Sequence, residues 1–167
     1  MITSLSLTLS FAELSVTIFR SNFSGSLLIV RDPLESLLSE YNRQAGGHTG
    51  HAQDMQGLNK FVSLKLKNWR NLNLDWLDNS TPGRLLVLSY SQLKTDLRSQ
   101  LLRMSAFLNL TVTEETLNCT IMEKEGVFRR MKIAQRVIVS QHNLKLLSQY
   151  KTEVVTAATK IYSNFVL

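Results

Sequence analysis

The chain has 167 residues, 44% of them apolar, with a net charge of +6 and an isoelectric point near 9.7. That is enough apolar chain for the core of one domain or part of one, which excludes a disordered protein. The basic balance suits an anionic partner, but the densest basic runs are only Arg129-Arg130 with Lys132 and Lys65 with Lys67, so nucleic acid is not an expected partner.

Met1 to Ser10 alternates Ser/Thr with Leu/Ile, the period of a strand. The first 19 residues lack a basic start and include Glu13, so they form neither a good signal peptide nor a membrane span. Ser21 to Gly25 is a break. Leu27-Leu28-Ile29-Val30 reads as a buried strand with Arg31 at its end. Asp32 then has the chemistry of a helix N-cap, Pro33 suits the first helical position, and Glu35 is placed as the acid of a capping box. Leu34, Leu37, Leu38 and Tyr41 follow at helical spacing, predicting a helix from Pro33 to about Arg43. Gly46 to His51 is a loop by composition.

A longer helix is predicted from about Leu58 to Leu77, with Phe61, Val62, Trp69, Leu72 and Trp76 as much of its buried stripe. Asn79 to Gly83 is a turn cluster, and Arg84 to Ser89 is a second buried strand. One helix is then expected to carry Leu93, Leu97, Leu101, Met104 and Leu108 on one face. Thr113 is placed to cap a short helix ending near Gly126. A last helix is predicted from about Ser140 to Tyr162, with Leu144, Leu147, Tyr150, Val154 and Ile161 inward. Strands alternating with helices predict an α/β layer with a parallel sheet. Two strands are few for such a sheet, so a neighbour is either missing or supplied by residues 1–20.

Several residues carry candidate chemistry. Arg31 stands at a strand-to-helix junction, where the helix N-terminus adds partial positive charge, and a guanidinium can fork onto phosphate oxygens. By residue type alone it is as readily a surface arginine at a strand end. Ser39 lies nearly two turns into the helix, and Ser36 competes with it for a hydroxyl contact. Arg129 and Arg130 are a second cationic pair or a solvated loop. Tyr90 follows the second strand, either against an adenine or simply packed with a wet hydroxyl. His48 and His51 sit among glycines with no third ligand near in sequence apart from Asp54, and Cys119 stands alone, so no metal site is expected. Cys119 also excludes an internal disulfide framework. Triplets for N-glycosylation begin at Asn22, Asn79, Asn109 and Asn118, which suits passage through the secretory route.

In order along the chain, Leu28-Ile29-Val30-Arg31-Asp32-Pro33 with Ser39, Val87-Leu88-Ser89-Tyr90-Ser91-Gln92-Leu93, and Glu125-Gly126-Val127-Phe128-Arg129-Arg130 resemble the three nucleotide-binding elements of sulfotransferases. Ser39-Glu40-Tyr41-Asn42-Arg43 leading to Gly47-His48-Thr49-Gly50, and Phe107 to Glu115 leading to Cys119, are similar to the WSC-domain-containing group of that family. The resemblance covers about Leu27 to Tyr162. It implies a partial P-loop-type sulfotransferase fold, a parallel sheet remnant with flanking helices. It implies 3′-phosphoadenylyl sulfate as donor, held by Arg31, Ser39, Arg130, Arg129 and Tyr90, with Arg130 ahead of Arg129. It also implies a Golgi or other secretory membrane location.

The family's phosphosulfate loop and catalytic base should lie before Leu27. Residues 1–26 contain no Lys, no His and a single glycine, Gly25. The expected division is therefore a divergent segment 1–26, a partial sulfotransferase domain 27–162 and a tail 163–167. Such a chain would hold the 3′-phosphate end of the donor, have no catalytic residue of its own and be inactive alone. The alternative expectation is a non-catalytic or truncated form that self-associates or pairs with a full-length relative.

Overall fold

The computed structural model describes residues 24–125 and 137–167. The strand expected over Met1 to Ser10, and Arg129 and Arg130, lie outside them. Two strands, β1 (Ser26–Val30) and β2 (Leu85–Ser89), pair in parallel, in register from Ser26 opposite Leu85 to Val30 opposite Ser89. A parallel pair needs a long crossover, and here it is α1 (Pro33–Gly46) followed by α2 (Leu58–Asp78). After β2 come α3 (Tyr90–Thr95), α4 (Leu97–Phe107), α5 (Glu114–Met122) and α6 (Gln141–Ile161).

Most helix starts are where their caps predict. The Asp32 carboxylate accepts the Leu34 and Glu35 amides, Thr113 accepts the Thr116 amide, and Ser140 accepts the Asn143 amide. Glu35 does not complete a capping box; it turns instead to the Arg31 side chain, accepting its Nε at 3.2 Å. α1 also runs past Arg43 to Gly46, ending where Gly47 takes φ 72°, a left-handed conformation suited to glycine.

The single helix expected through the 90s is two helices. Asp96 (φ −140°, ψ 60°) ends α3 and caps α4 through the Ser99 amide. The cap chemistry of an internal aspartate interrupts a continuous apolar spacing.

The core has two adjoining parts. Leu28, Val30, Leu85 and Val87 on the sheet meet Leu77 of α2 and Val154, Ala157 and Ala158 of α6. Beyond the strand ends, Leu37 of α1, Leu58, Val62 and Leu66 of α2 and Leu147 of α6 form the second part. The α2 stripe is thus Leu58, Val62, Leu66, Asn73 and Leu77, and Leu72 points outward, 60% exposed. On α6 the same correction applies to Leu144 and Ile161, which are exposed while Asn143 and Ala158 are buried.

α2 and α6 run side by side in the same direction, as the Ser63–Asn143 and Arg70–Glu153 pairs require. A polar clasp fixes their register. Buried Asn143 donates to the Asn59 carbonyl (3.0 Å) and accepts from Ser63 (2.9 Å), while Asn59 bonds the backbone of Ile138 and Ser140. Arg103 of α4 donates to the Val87 carbonyl at 3.1 Å, tying α4 to β2. Leu27 and Ile29 of β1 remain exposed, and among the described residues β1 has β2 as its one neighbour.

Candidate functional site

The two strands end together, and the chain leaves each of them into a helix. In parallel sheets ligands bind beyond these carboxyl ends. Here a cleft of about 220 Å³ opens there, lined by Asp32, Glu35, Tyr90, Ser91, Lys94 and Lys151, with Leu167. A smaller hollow of about 50 Å³, bordered by Gly25, Trp76 and Arg84, lies at the opposite strand ends and gathers no comparable charge.

Arg31, one third exposed, is not itself in the lining but adjoins two residues that are, Asp32 in sequence and Tyr90 in space. Its backbone is fixed on two sides, since its carbonyl accepts the Trp69 indole N–H at 3.2 Å and the Ser36 hydroxyl at 3.4 Å. Its guanidinium lies 4.6 Å from the centre of the Tyr90 ring. Cation–π attraction holds the two together. Nε is bonded to Glu35, and the terminal nitrogens make no hydrogen bond among the described residues. The fork that could meet two phosphate oxygens thus lies against Tyr90, a lining residue of the cleft.

Asp32 links three elements. It follows β1 by two residues, caps α1 and accepts Lys151 Nζ of α6 at 2.8 Å. Burial alone would raise its carboxyl pKa. The Lys151 hydrogen bond and charge, together with the Glu35 and Leu34 amides, outweigh that and hold it below the usual 3.8. A carboxyl depressed in the folded state adds stability that is complete above its unfolded value and lost as pH falls through its folded value. Wild-type protein should therefore lose stability between about pH 5 and pH 2, and Asp32→Asn should lose less of it over that range. The variant keeps a good cap residue, so at pH 7 its own cost should be about 0.2–1 kcal/mol, the scale of a partly exposed ion pair. Urea unfolding of both proteins at pH 6 and pH 3 measures the difference.

The sequence-predicted residues divide clearly. Arg31 and Tyr90 come together across the two strand ends. Ser39 is half-buried further along α1. Ser36, its competitor, spends its hydroxyl proton on the Arg31 carbonyl. Lys94 and Lys151 were not legible as parts of a site. Lys94 had one signal, its place four residues after Tyr90 on a helix. Lys151 had none, because its partner Asp32 is 119 residues away. Among the described residues no group of three His, Cys, Asp or Glu side chains is gathered as a metal site would need, and no helix is long and apolar enough to cross a membrane.

Residues 7–151 match the family profile described as the sulfotransferase domain. The fruit fly (Drosophila melanogaster) protein WSCD family member CG9164 is 41% identical over 117 residues, which is 66% of this chain and 37% of that protein. The mosquito (Aedes aegypti) protein WSCD family member AAEL009094 is 38% identical over the same length, with the same coverage. The chain thus spans about 37% of the length of these relatives. In fold, a crystal structure of mouse sulfotransferase SULT7A1 complexed with PAP superposes with a TM-score of 0.59 at 18% identity, covering 93% of this chain and 64% of the mouse one.

Proposed function

The chain belongs to the sulfotransferase domain family, among its WSC-domain-containing members, and on that premise we propose that its cleft holds the 3′-phosphate end of the donor nucleotide 3′-phosphoadenylyl sulfate. The observation that carries this reading is the meeting of Arg31 and Tyr90 at the carboxyl ends of two parallel strands. An aromatic ring and an open guanidinium fork are what a purine nucleotide with a terminal phosphate needs. Ser39 and the pair Arg129 and Arg130 complete the proposed set. When bound, the donor supplies the sulfuryl group that is transferred to a hydroxyl or amine.

We propose further that residues 27–162 act as a partial domain that does not transfer sulfate unaided. Residues 1–26 offer no lysine and one glycine, where a phosphosulfate loop would need both. Three missing charge-assisted hydrogen bonds at about 1.5 kcal/mol each already weaken donor binding on the order of a thousandfold. The four glycosylation triplets favour a secretory, Golgi-type setting. Isothermal titration calorimetry of the chain with adenosine 3′,5′-bisphosphate tests the main reading. Saturable heat is expected; no heat at millimolar ligand removes it.

A second reading, pairing with a full-length relative, is favoured by the side of β1 away from β2 and by the exposure of Leu27 (42%) and Ile29 (53%) beside it. Strand edges of this kind template association. Co-expression and pull-down with a full-length family member would show it, and two proteins that elute separately would count against it.

A further inference from the structure

The side-chain ion pairs around the cleft leave one cation over. Arg31 is paired with Glu35 and Lys151 with Asp32. Lys94, the third cation, has no ion pair among the described residues. Yet it lines the cleft, and its Nζ lies 5.6 Å from the centre of the same Tyr90 ring that carries the Arg31 guanidinium. Tyr90 thus gathers two cations, one from each strand end.

We propose that Lys94 is a further contact for the 3′-phosphate, reaching it beside Arg31 from the helix that follows the other strand. This rests on the reading that the cleft takes the donor nucleotide. A phosphate monoester carries about −1.5 to −2 charge near neutral pH. Among the described residues Arg31 alone leaves much of that charge unmatched, and both nearby carboxylates oppose it. Lys94 adds positive charge as a mobile point cation, complementing the planar fork of Arg31 and adding to whatever Arg129 and Arg130 supply. Its backbone is well held: Ser89 caps α3, Gln92 Nε2 donates to the Asn164 carbonyl at 2.8 Å, and Ser91 donates to the Val166 carbonyl at 3.2 Å. The tail that makes these bonds is anchored by Phe165, which is buried in the core. Lys94 therefore offers its ammonium from a fixed point, although the side chain itself is exposed.

The test is a charge series at Lys94 in the full chain, titrated with adenosine 3′,5′-bisphosphate and with adenosine 3′-monophosphate at low salt. Lys94→Arg should bind the bisphosphate about as wild type does, Lys94→Ala about tenfold more weakly, and Lys94→Glu more weakly still, since removing one charge-assisted hydrogen bond weakens binding by roughly that factor. The 3′-monophosphate should lose the same factors. Far-ultraviolet circular dichroism and melting temperature should be unchanged across the series, as suits an exposed side chain. Wild-type affinity in Lys94→Ala, with the bisphosphate still bound, overturns the inference and leaves the donor reading standing. Loss for the bisphosphate but not for the 3′-monophosphate also overturns it, by assigning Lys94 to the other end of the nucleotide. Absence of bisphosphate binding by the wild-type chain removes both readings together.

Discussion

Arg31→Ala should weaken binding of adenosine 3′,5′-bisphosphate by about ten- to a hundredfold, the largest loss of any single change in the cleft. A charge-assisted hydrogen bond contributes about 1.5–3 kcal/mol, and each 1.4 kcal/mol is a factor of about ten in affinity. The contribution is high here because little freedom remains to be lost on binding. The Arg31 carbonyl is held by Trp69 and Ser36, its Nε by Glu35, and its guanidinium by the Tyr90 ring. Arg129 is the lesser member of its proposed pair, behind Arg130, so Arg129→Ala should be milder. Ser39→Ala should be mildest, because a neutral hydroxyl bond contributes only about 0.5–1.5 kcal/mol. Titrations at low salt rank the three. If Arg129→Ala proved the most damaging, the strand-end phosphate site would be wrong.

Leu66→Ala should destabilise the protein by about 2–5 kcal/mol, enough to unfold much of a marginally stable domain. Leu66 is 1% exposed and sits with Leu37, Leu58, Val62 and Leu147 where α1, α2 and α6 meet. Truncation removes the transfer energy of the side chain and leaves a cavity that three helices cannot easily close. The same substitution six residues on, Leu72→Ala, should change stability by no more than about 0.5 kcal/mol, because Leu72 is 60% exposed. Urea midpoints of the two variants separate the cases. Equal losses would mean that α2 presents a different face to the core. Because α6 also carries Lys151, unfolding and loss of the cleft should coincide in Leu66→Ala.

The family and the kind of fold were legible in the residues. The strand-Arg-Asp-Pro junction, the Tyr90 segment and the Phe-Arg-Arg run stand in family order, and the sulfotransferase domain profile matches residues 7–151. The strands expected on either side of the helix crossover both formed, and Asp32, Thr113 and Ser140 start their helices. Helical faces were less legible. Spacing placed Leu72, Leu144 and Ile161 inward, but all three are exposed, while the polar Asn73 and Asn143 are buried. Their amides find partners: Asn73 donates to the Trp69 carbonyl, and Asn143 bonds Asn59 and Ser63. A satisfied amide can be buried at little cost, and hydrophobic periodicity alone carries no sign of it.

The sequence by itself determined what acts over a few residues: where strands end, which side chains cap helices, and that Arg31 stands between a strand end and a helix start. Such features depend on backbone groups within one helical turn, so residue type and spacing specify them. Tertiary structure alone decided what surrounds Arg31. Tyr90 reaches it because β1 and β2 are parallel and in register, which brings both strand ends to one edge. Lys151 reaches Asp32 because α6 lies along α2, fixed by the Asn143 clasp and by the Arg70–Glu153 pair. The two members of that ion pair are 119 residues apart, and no local signal ties them. Only packing, which sets the position of every element at once, brings them together.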